Sequence, residues 1–252
     1  MKHSLHFNLD GKWSYEMGVV QASVNTGLFE DSIISSKSII EEKIEGREKP
    51  YFFGVDKAPL SFTVSVAFME NMSNKKVREV LRWLDHDEYK PLRFWEDDER
   101  IWYVMVVNDI TSIHNGINSG YIELEFRASH TTALTPLTAS DTYRIRSSNW
   151  KTIEFENSGD FDCFPIVHIE KVGSGNAEIQ NASNNTGDFK LTGLEDGEVV
   201  SIDCENKEIV SSIGKFRYDN FSKNYLVFRR GINKLRVRGN FNLTFETEFK
   251  IY

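Results

Sequence analysis

The chain has 252 residues, 40% hydrophobic and 27% charged, a balance that fits an ordered globular protein and excludes a disordered one. Its net charge of −8 speaks against gripping nucleic acid through the phosphates, which needs clustered cations. Residues 1–135 hold 15 Lys and Arg against 21 Asp and Glu, and residues 136–252 hold 15 against 17, so the first part carries −6 and the second −2.

In chain order, the N-terminus "MKHSLHFNLDGKW" lacks the apolar core of a cleaved signal peptide, so secretion by that route is not expected. No apolar run reaches the roughly 18 residues of a membrane span, so no membrane insertion is expected either. "PLSFTVSVAF" alternates, with Leu60, Phe62, Val64, Val66 and Phe68 on one face of a predicted strand. "MSNKKVREVLRWLDHDE" changes the period. Val77, Val80, Leu81 and Leu84 make one helical stripe behind Ser73, a predicted N-cap. "PLRFWEDDERIWYVMVV" reads as a hairpin turning at Glu96-Asp97-Asp98-Glu99, and "SGYIELEFRAS" alternates again.

Around residues 130–145 the texture shifts to Thr and Ser, the expected linker between domains 1–135 and 136–252. Beyond it come short predicted strands with Gly, Asn and Asp turns and no helix, which points to a β-sandwich. The fold class expected is mainly β: an α+β N-terminal domain with one main helix and a β-hairpin, then a C-terminal β-sandwich.

The pattern of chemistry is sparse. None of the six His forms a ligand pair on a helix, and Asp85-His86-Asp87-Glu88 reads as a solvated turn. The carboxylates of Glu96–Glu99 lack a neighbour that would raise one pKa selectively. No nucleophile elbow or phosphate-binding loop is present, so no catalytic, metal or cofactor site is expected. Cys163 and Cys204 read as buried reduced thiols. A sugar platform would need exposed Trp or Tyr, whereas the second domain's rings are mainly Phe on strands that point many of them inward. In "INKLRVRG", Lys234, Arg236 and Arg238 share a face: the solvated side of a strand, or a basic stripe that docks an acidic partner.

The order of elements resembles one family. "NTGLFEDSIISSKSIIEEKIEGREKPYFFGVDKAPLSFTVSVAF", the helix, "YKPLRFWEDDERIWYVMVV" and "SGYIELEFRAS" resemble the N-terminal part of the siphophage distal tail (Dit) proteins. "GNAEIQN", "GEVVSIDCENKEI" and "RRGINKLRVRG" resemble that family's galectin-like or carbohydrate-module-like C-terminal sandwich. The resemblance implies a non-enzymatic structural hub in the virion, made in the host cytoplasm. It implies a homohexameric ring at the tip of a long non-contractile tail, joining the tail tube protein to the tail-associated tip protein, with receptor-binding components nearby. Genomic DNA would pass only as cargo, and the acidic first domain would suit a channel. The alternative expectation is a carbohydrate-binding protein that recognises host cell-wall glycan through its second domain.

Within that frame, Tyr51, Phe52 and Phe53 are expected to straddle the subunit's own core and a subunit interface, with Arg47 and Glu48 at its rim. Consecutive rings on an extended chain point to opposite sides, so one core cannot bury all three. The competing expectation is a loop of the same subunit folded over the outer rings.

Overall fold

The computed structural model describes residues 4–23, 35–116, 119–184 and 186–252. The early Gly27-Leu28 pair of the family resemblance lies outside them. Among the described residues the fold is mainly β with one α-helix, and the chain divides into two compact units, residues 1–134 with Tyr252 and residues 135–251.

The first unit contains β1 (Phe7–Leu9), β2 (Lys12–Trp13), β3 (Val19–Ala22), β4 (Lys37–Glu42), β5 (Tyr51–Lys57), β6 (Ser61–Phe68), helix α1 (Asn74–Leu84), β7 (Lys90–Phe94), β8 (Asp97–His114), β9 (Gly120–Ala128) and β10 (Ala133–Leu134). Its main sheet runs in the order β2-β1-β7-β8-β9-β6-β3, with β10 paired to β8, all antiparallel. Alternation places Phe62, Val64 and Val66 of β6 and Ile122, Leu124 and Phe126 of β9 on the buried face, as their period of two predicts.

Ser73 caps α1, its Oγ accepting from the Lys76 N–H at 3.2 Å. The buried side of α1 is Val80, Trp83 and Leu84, while Val77 and Leu81 of the expected stripe are only half-buried. Trp83 sets this rotation: its indole N–H donates to the Leu9 carbonyl at 3.2 Å, and its ring stacks on Phe7 at 5.4 Å. The β7–β8 turn is tighter than the sequence suggested. Phe94 pairs with Asp97, so the turn is Trp95-Glu96 and the strand resumes at Asp97.

The second unit contains β11 (Thr138–Ala139), β12 (Tyr143–Asn157), β13 (Ile166–Lys171), β14 (Gly175–Asn181), β15 (Asp188–Leu194), β16 (Val199–Asp203), β17 (Glu208–Ser211), a 3-10 turn (Tyr218–Asn220) and β18 (Gly231–Thr247). The expectation of short strands only is corrected by β12 and β18, of 15 and 17 residues. Inside β18, Gly239, with φ +128°, keeps the strand running where a Cβ would come within 2.7 Å of the Asn176 carbonyl oxygen. Glycine is there for a close approach of backbones.

Strand β18 is the spine of this unit. Its first half pairs with β14, its second half with β13, and β12 runs along its other edge with a bulge between Ser147 and Lys151. The sheet folds back on itself. Phe155 pairs with Asn233, which stands about 40 Å from Phe245 along a straight strand, yet the Phe155 and Phe245 rings lie 5.2 Å apart. Long strands that bend at a bulge and serve both layers are how a sandwich turns its corners. Val167, Ile179, Phe189, Ile202, Val237, Phe241 and Phe245 fill the space between the layers.

Candidate functional site: an exposed apolar hairpin

Strands β4 and β5 form a two-stranded sheet of their own, with no further strand beside it among the described residues. In the chain they are inserted between β3 and β6, the two strands that end the main sheet of the first unit on one side. Ile39 and Val55 are β-branched, and they pair across the ribbon. Gly46, at φ +83°, lies in the connection. Between Ile40 and Glu41 the register shifts: Ile40 faces Gly54 while Glu41 faces Phe52, which makes Phe53 the extra residue of a bulge.

The register assigns the side chains to faces, because paired residues project to the same side. Ile39, Val55 and Phe52 lie on one face. Ile40 and Tyr51 lie on the other, and Phe53, the unpaired residue of the bulge, is left unassigned by the register. All six are between 44% and 66% exposed. A ribbon of two strands has little stability of its own in water, and an apolar surface on both sides makes it a segment that gains by being covered.

The structure thus brings Tyr51, Phe52 and Phe53 to one exposed ribbon, and the part of the expectation that placed one ring in the subunit's own core is corrected. No face of the ribbon is turned inward, because the hairpin stands apart from the main sheet as a separate two-stranded element. Arg47 joins the site: its guanidinium carbon lies 4.2 Å from the Tyr51 ring centroid. Glu48 is exposed in the same connection. Sequence reasoning missed Ile39, Ile40 and Val55. The signal was the Ile39-Ile40 doublet, which lacks the alternation of a one-sided strand and therefore marks a ribbon apolar on both sides.

The second set of expected residues, Lys234, Arg236 and Arg238, does share the outer face of β18, but its charges are engaged within the sheet. Arg238 Nε donates to Glu178 Oε2 at 2.9 Å, and Arg236 Nη1 donates to Gln180 Oε1 at 3.2 Å. Both guanidiniums cover the Trp150 ring, at 4.4 Å for Arg238 and 5.1 Å for Arg236. Lys234 approaches Glu154 at 4.0 Å. Burial alone would raise the pKa of Glu178, but hydrogen bonds from Arg238 and Lys190 outweigh it and hold the carboxyl below its ordinary value.

Among the described residues no group of three or more His, Cys, Asp or Glu side chains converges as a metal site. Both cysteines are buried and free, their thiols pushed up to about 12 by burial. No helix among the described residues is long and apolar enough to cross a membrane.

Residues 2–130 match the family model described as a phage tail protein N-terminal domain, and residues 136–247 match that of a phage tail C-terminal domain. The chain belongs to this family of phage tail proteins. The SPbeta prophage-derived protein YomH of Bacillus subtilis (strain 168) is 28% identical over 251 residues, 99% of each chain. Among solved structures, the Dit protein (gp 19.1) of SPP1 has the same fold at a TM-score of 0.71 and 14% identity, over 97% of this chain and 98% of that one. It is described as a paradigm of the hub adsorption apparatus in phages infecting Gram-positive bacteria. A chain of the phage P2 baseplate in its activated conformation with Ca matches at a TM-score of 0.53 and 9% identity, with the same coverage. The fold of this phage tail protein is therefore that of a distal tail protein, as the order of its sequence elements led one to expect.

Proposed function

We propose that the protein is a structural, non-enzymatic hub of a long non-contractile phage tail, built into the virion as a ring of six copies that joins the tail tube to the tip apparatus. The observation that carries this reading is the β4–β5 hairpin, a ribbon apolar on both faces, exposed in a single copy of a phage tail family chain. A ring contact is head-to-tail, so each copy needs one projecting element and one receiving surface, and six identical contacts close without leaving an end. Aromatic side chains at the centre of such a contact, here Tyr51, Phe52 and Phe53, supply most of its binding energy in interfaces of this kind. Arg47 and Glu48 stand at the rim. The tail tube protein and the tail-associated tip protein take opposite faces of the ring, receptor-binding components lie outside it, and DNA passes through the opening as cargo.

Light scattering with negative-stain imaging tests the ring directly. A particle of six copies with a central hole is the expected result. Substituting Tyr51, Phe52 and Phe53 singly by Ala should weaken assembly by roughly tenfold or more for at least one of them. Assembly untouched by all three substitutions sinks the interface reading. The channel reading requires acidic side chains on the pore wall, and a neutral or basic wall in an image reconstruction refutes it. The carbohydrate alternative has less support, because Trp150, the indole nearest the expected sugar platform, already has Arg236 and Arg238 over its ring.

A further inference from the structure

A second exposed aromatic group lies at the other end of the first unit's sheet, among β2, β1 and the β7–β8 turn. Trp13 and Tyr15 are close to parallel, with centroids 6.2 Å apart and planes 15° apart. Trp95 stands steeply against both, 5.0 Å and 64° from Trp13 and 6.3 Å and 76° from Tyr15. The result is a corner of rings. It is held in place from behind. The Trp95 N–H donates to the His6 carbonyl at 3.0 Å, the Trp13 N–H to Glu16 Oε2 at 2.8 Å, and buried Ser14 Oγ lies 3.2 Å from both the His6 ring and the Phe7 N–H. Although anchored, Tyr15 and Trp95 are 44% and 57% exposed.

The flanking stretches of chain are acidic. Residues 10–16 and 96–100 carry six carboxylates against two cations, a local charge of −4. Arg100 is engaged by Asp97 at 3.5 Å, whereas Glu96, Asp98 and Glu99 have no ion partner among the described residues. Nor does any Lys or Arg of the described residues stand over Trp13, Tyr15 or Trp95.

The second unit shows what such a combination holds when it is filled. Around Trp150, Arg238 lies 4.4 Å from the ring centroid while its Nε donates to a Glu178 carboxylate at 2.9 Å. A guanidinium suits that pairing because it stacks on a ring face and presents a planar fork to a carboxylate at once. The Trp13–Tyr15–Trp95 corner offers the same two components, rings and carboxylates, without the cation. A sugar would want a flat open platform, and rings set at steep angles do not make one.

We propose that this corner is a docking site for an arginine-bearing segment of another protein, the rings taking the guanidinium and Glu96, Asp98 and Glu99 its charge. The site is separate from the β4–β5 hairpin and does not depend on the ring reading.

The test uses the full chain and a defined probe, the peptide Ac-Gly-Arg-Gly-Arg-Gly-amide, with its citrulline counterpart as the uncharged control and cellohexaose as a sugar probe. Binding is read by calorimetry at low salt. The arginine peptide should bind, the citrulline peptide should bind at least roughly fivefold more weakly, and Trp95→Ala should cost roughly fivefold or more. Trp95→Phe, which keeps a ring, should recover part of the loss, and the Glu96→Gln, Asp98→Asn, Glu99→Gln triple variant should remove most of the salt dependence. Circular dichroism establishes that each variant is folded. Equal binding by wild type and Trp95→Ala would mean diffuse attraction to an acidic protein and overturns the proposal. So do three other results: no binding at millimolar peptide, cellohexaose binding that Trp95→Ala abolishes, and a self-association that the same substitution abolishes, which would make the occupant a second copy.

Discussion

The β4–β5 hairpin and the outer face of the second unit's sheet are both exposed and both rich in side chains that bind proteins, yet they are opposites in how those side chains are used. On β18, Arg236 and Arg238 already have Trp150, Gln180 and Glu178, and their interactions are complete within one chain. On the hairpin, apolar residues occupy both faces and one chain covers neither. Exposure alone therefore does not mark an interface. What marks it is a set of groups whose interactions are unfinished, and the hairpin has such a set while the basic stripe does not.

The largest expected effect breaks the comparison on the hairpin side. Replacing Phe52 and Phe53 together by Ser should abolish assembly of the ring while shifting the unfolding temperature of the unassembled chain by less than about 2 °C, because surface substitutions away from a core cost within about 0.5 kcal/mol. Sedimentation velocity and calorimetry of the same samples read both quantities. A large loss of intrinsic stability would mean that the rings are structural in the single chain, and the contrast between the two regions would fall.

Next comes the buried ion pair of the second unit, the extreme case of finished interactions. Arg217 Nε donates to Glu198 Oε1 at 2.8 Å, Ser211 Oγ donates to the same oxygen at 2.7 Å, and the Glu195 N–H donates to Glu198 Oε2 at 2.9 Å. Arg217→Met leaves a fully buried carboxylate without its counter-charge and should cost about 3–5 kcal/mol in urea unfolding of the second unit. The pH dependence follows from the same group. Burial by itself raises the pKa of Glu198, but the hydrogen bonds from Arg217, the Glu195 N–H and Ser211 overcome this and leave it below the ordinary 4.5. A carboxyl with a depressed folded pKa contributes stability that is complete above its unfolded pKa and is lost as pH falls through the folded value. Wild type should therefore lose stability steeply below about pH 4.5, and Glu198→Gln should flatten that limb. Parallel acid limbs in the two proteins would assign the loss elsewhere.

How much of this was legible in the sequence depends on the range of the interaction involved. The strands β6 and β9 and the cap at Ser73 are local, set by a period of two and a three-residue hydrogen bond, and the sequence shows them directly. The face of α1 was legible only in part, because Trp83 chooses its side by reaching Leu9, 74 residues away. Gly239 gave no local sign of its role, because a glycine that permits close approach and a glycine that permits a turn look the same until Asn176 is placed beside it. At the hairpin, the triplet Tyr51-Phe52-Phe53 announced itself, but its exposure depends on a bulge and on the absence of a third strand among the described residues, neither of which has a local signature. The pairing of Arg238 with Glu178, 60 residues away, likewise gave no local sign that the basic stripe was already satisfied.

The smallest effect sharpens the comparison from within the stripe itself. Lys234, Arg236 and Arg238 look equivalent along the chain, but their surroundings differ. Lys234 is 63% exposed at its side chain and meets Glu154 at the limit of an ion-pair distance, so Lys234→Ala should change stability by no more than about 0.5 kcal/mol. Arg238→Ala removes the nearer of the two guanidiniums over Trp150 and deprives Glu178, a buried carboxylate, of its Arg donor, leaving it Lys190 at 3.3 Å. A loss of about 1–3 kcal/mol is expected there, since a buried acceptor that loses a charged partner forfeits more than the bond itself. Urea unfolding of the two single variants decides it. Equal small losses would mean that Arg238 is held no more firmly than Lys234, and the stripe would again be available to an acidic partner. A clear excess for Arg238 means that evenly spaced cations on one strand divide into one that solvent holds and one that the sheet holds, whereas the hairpin keeps its contacts open.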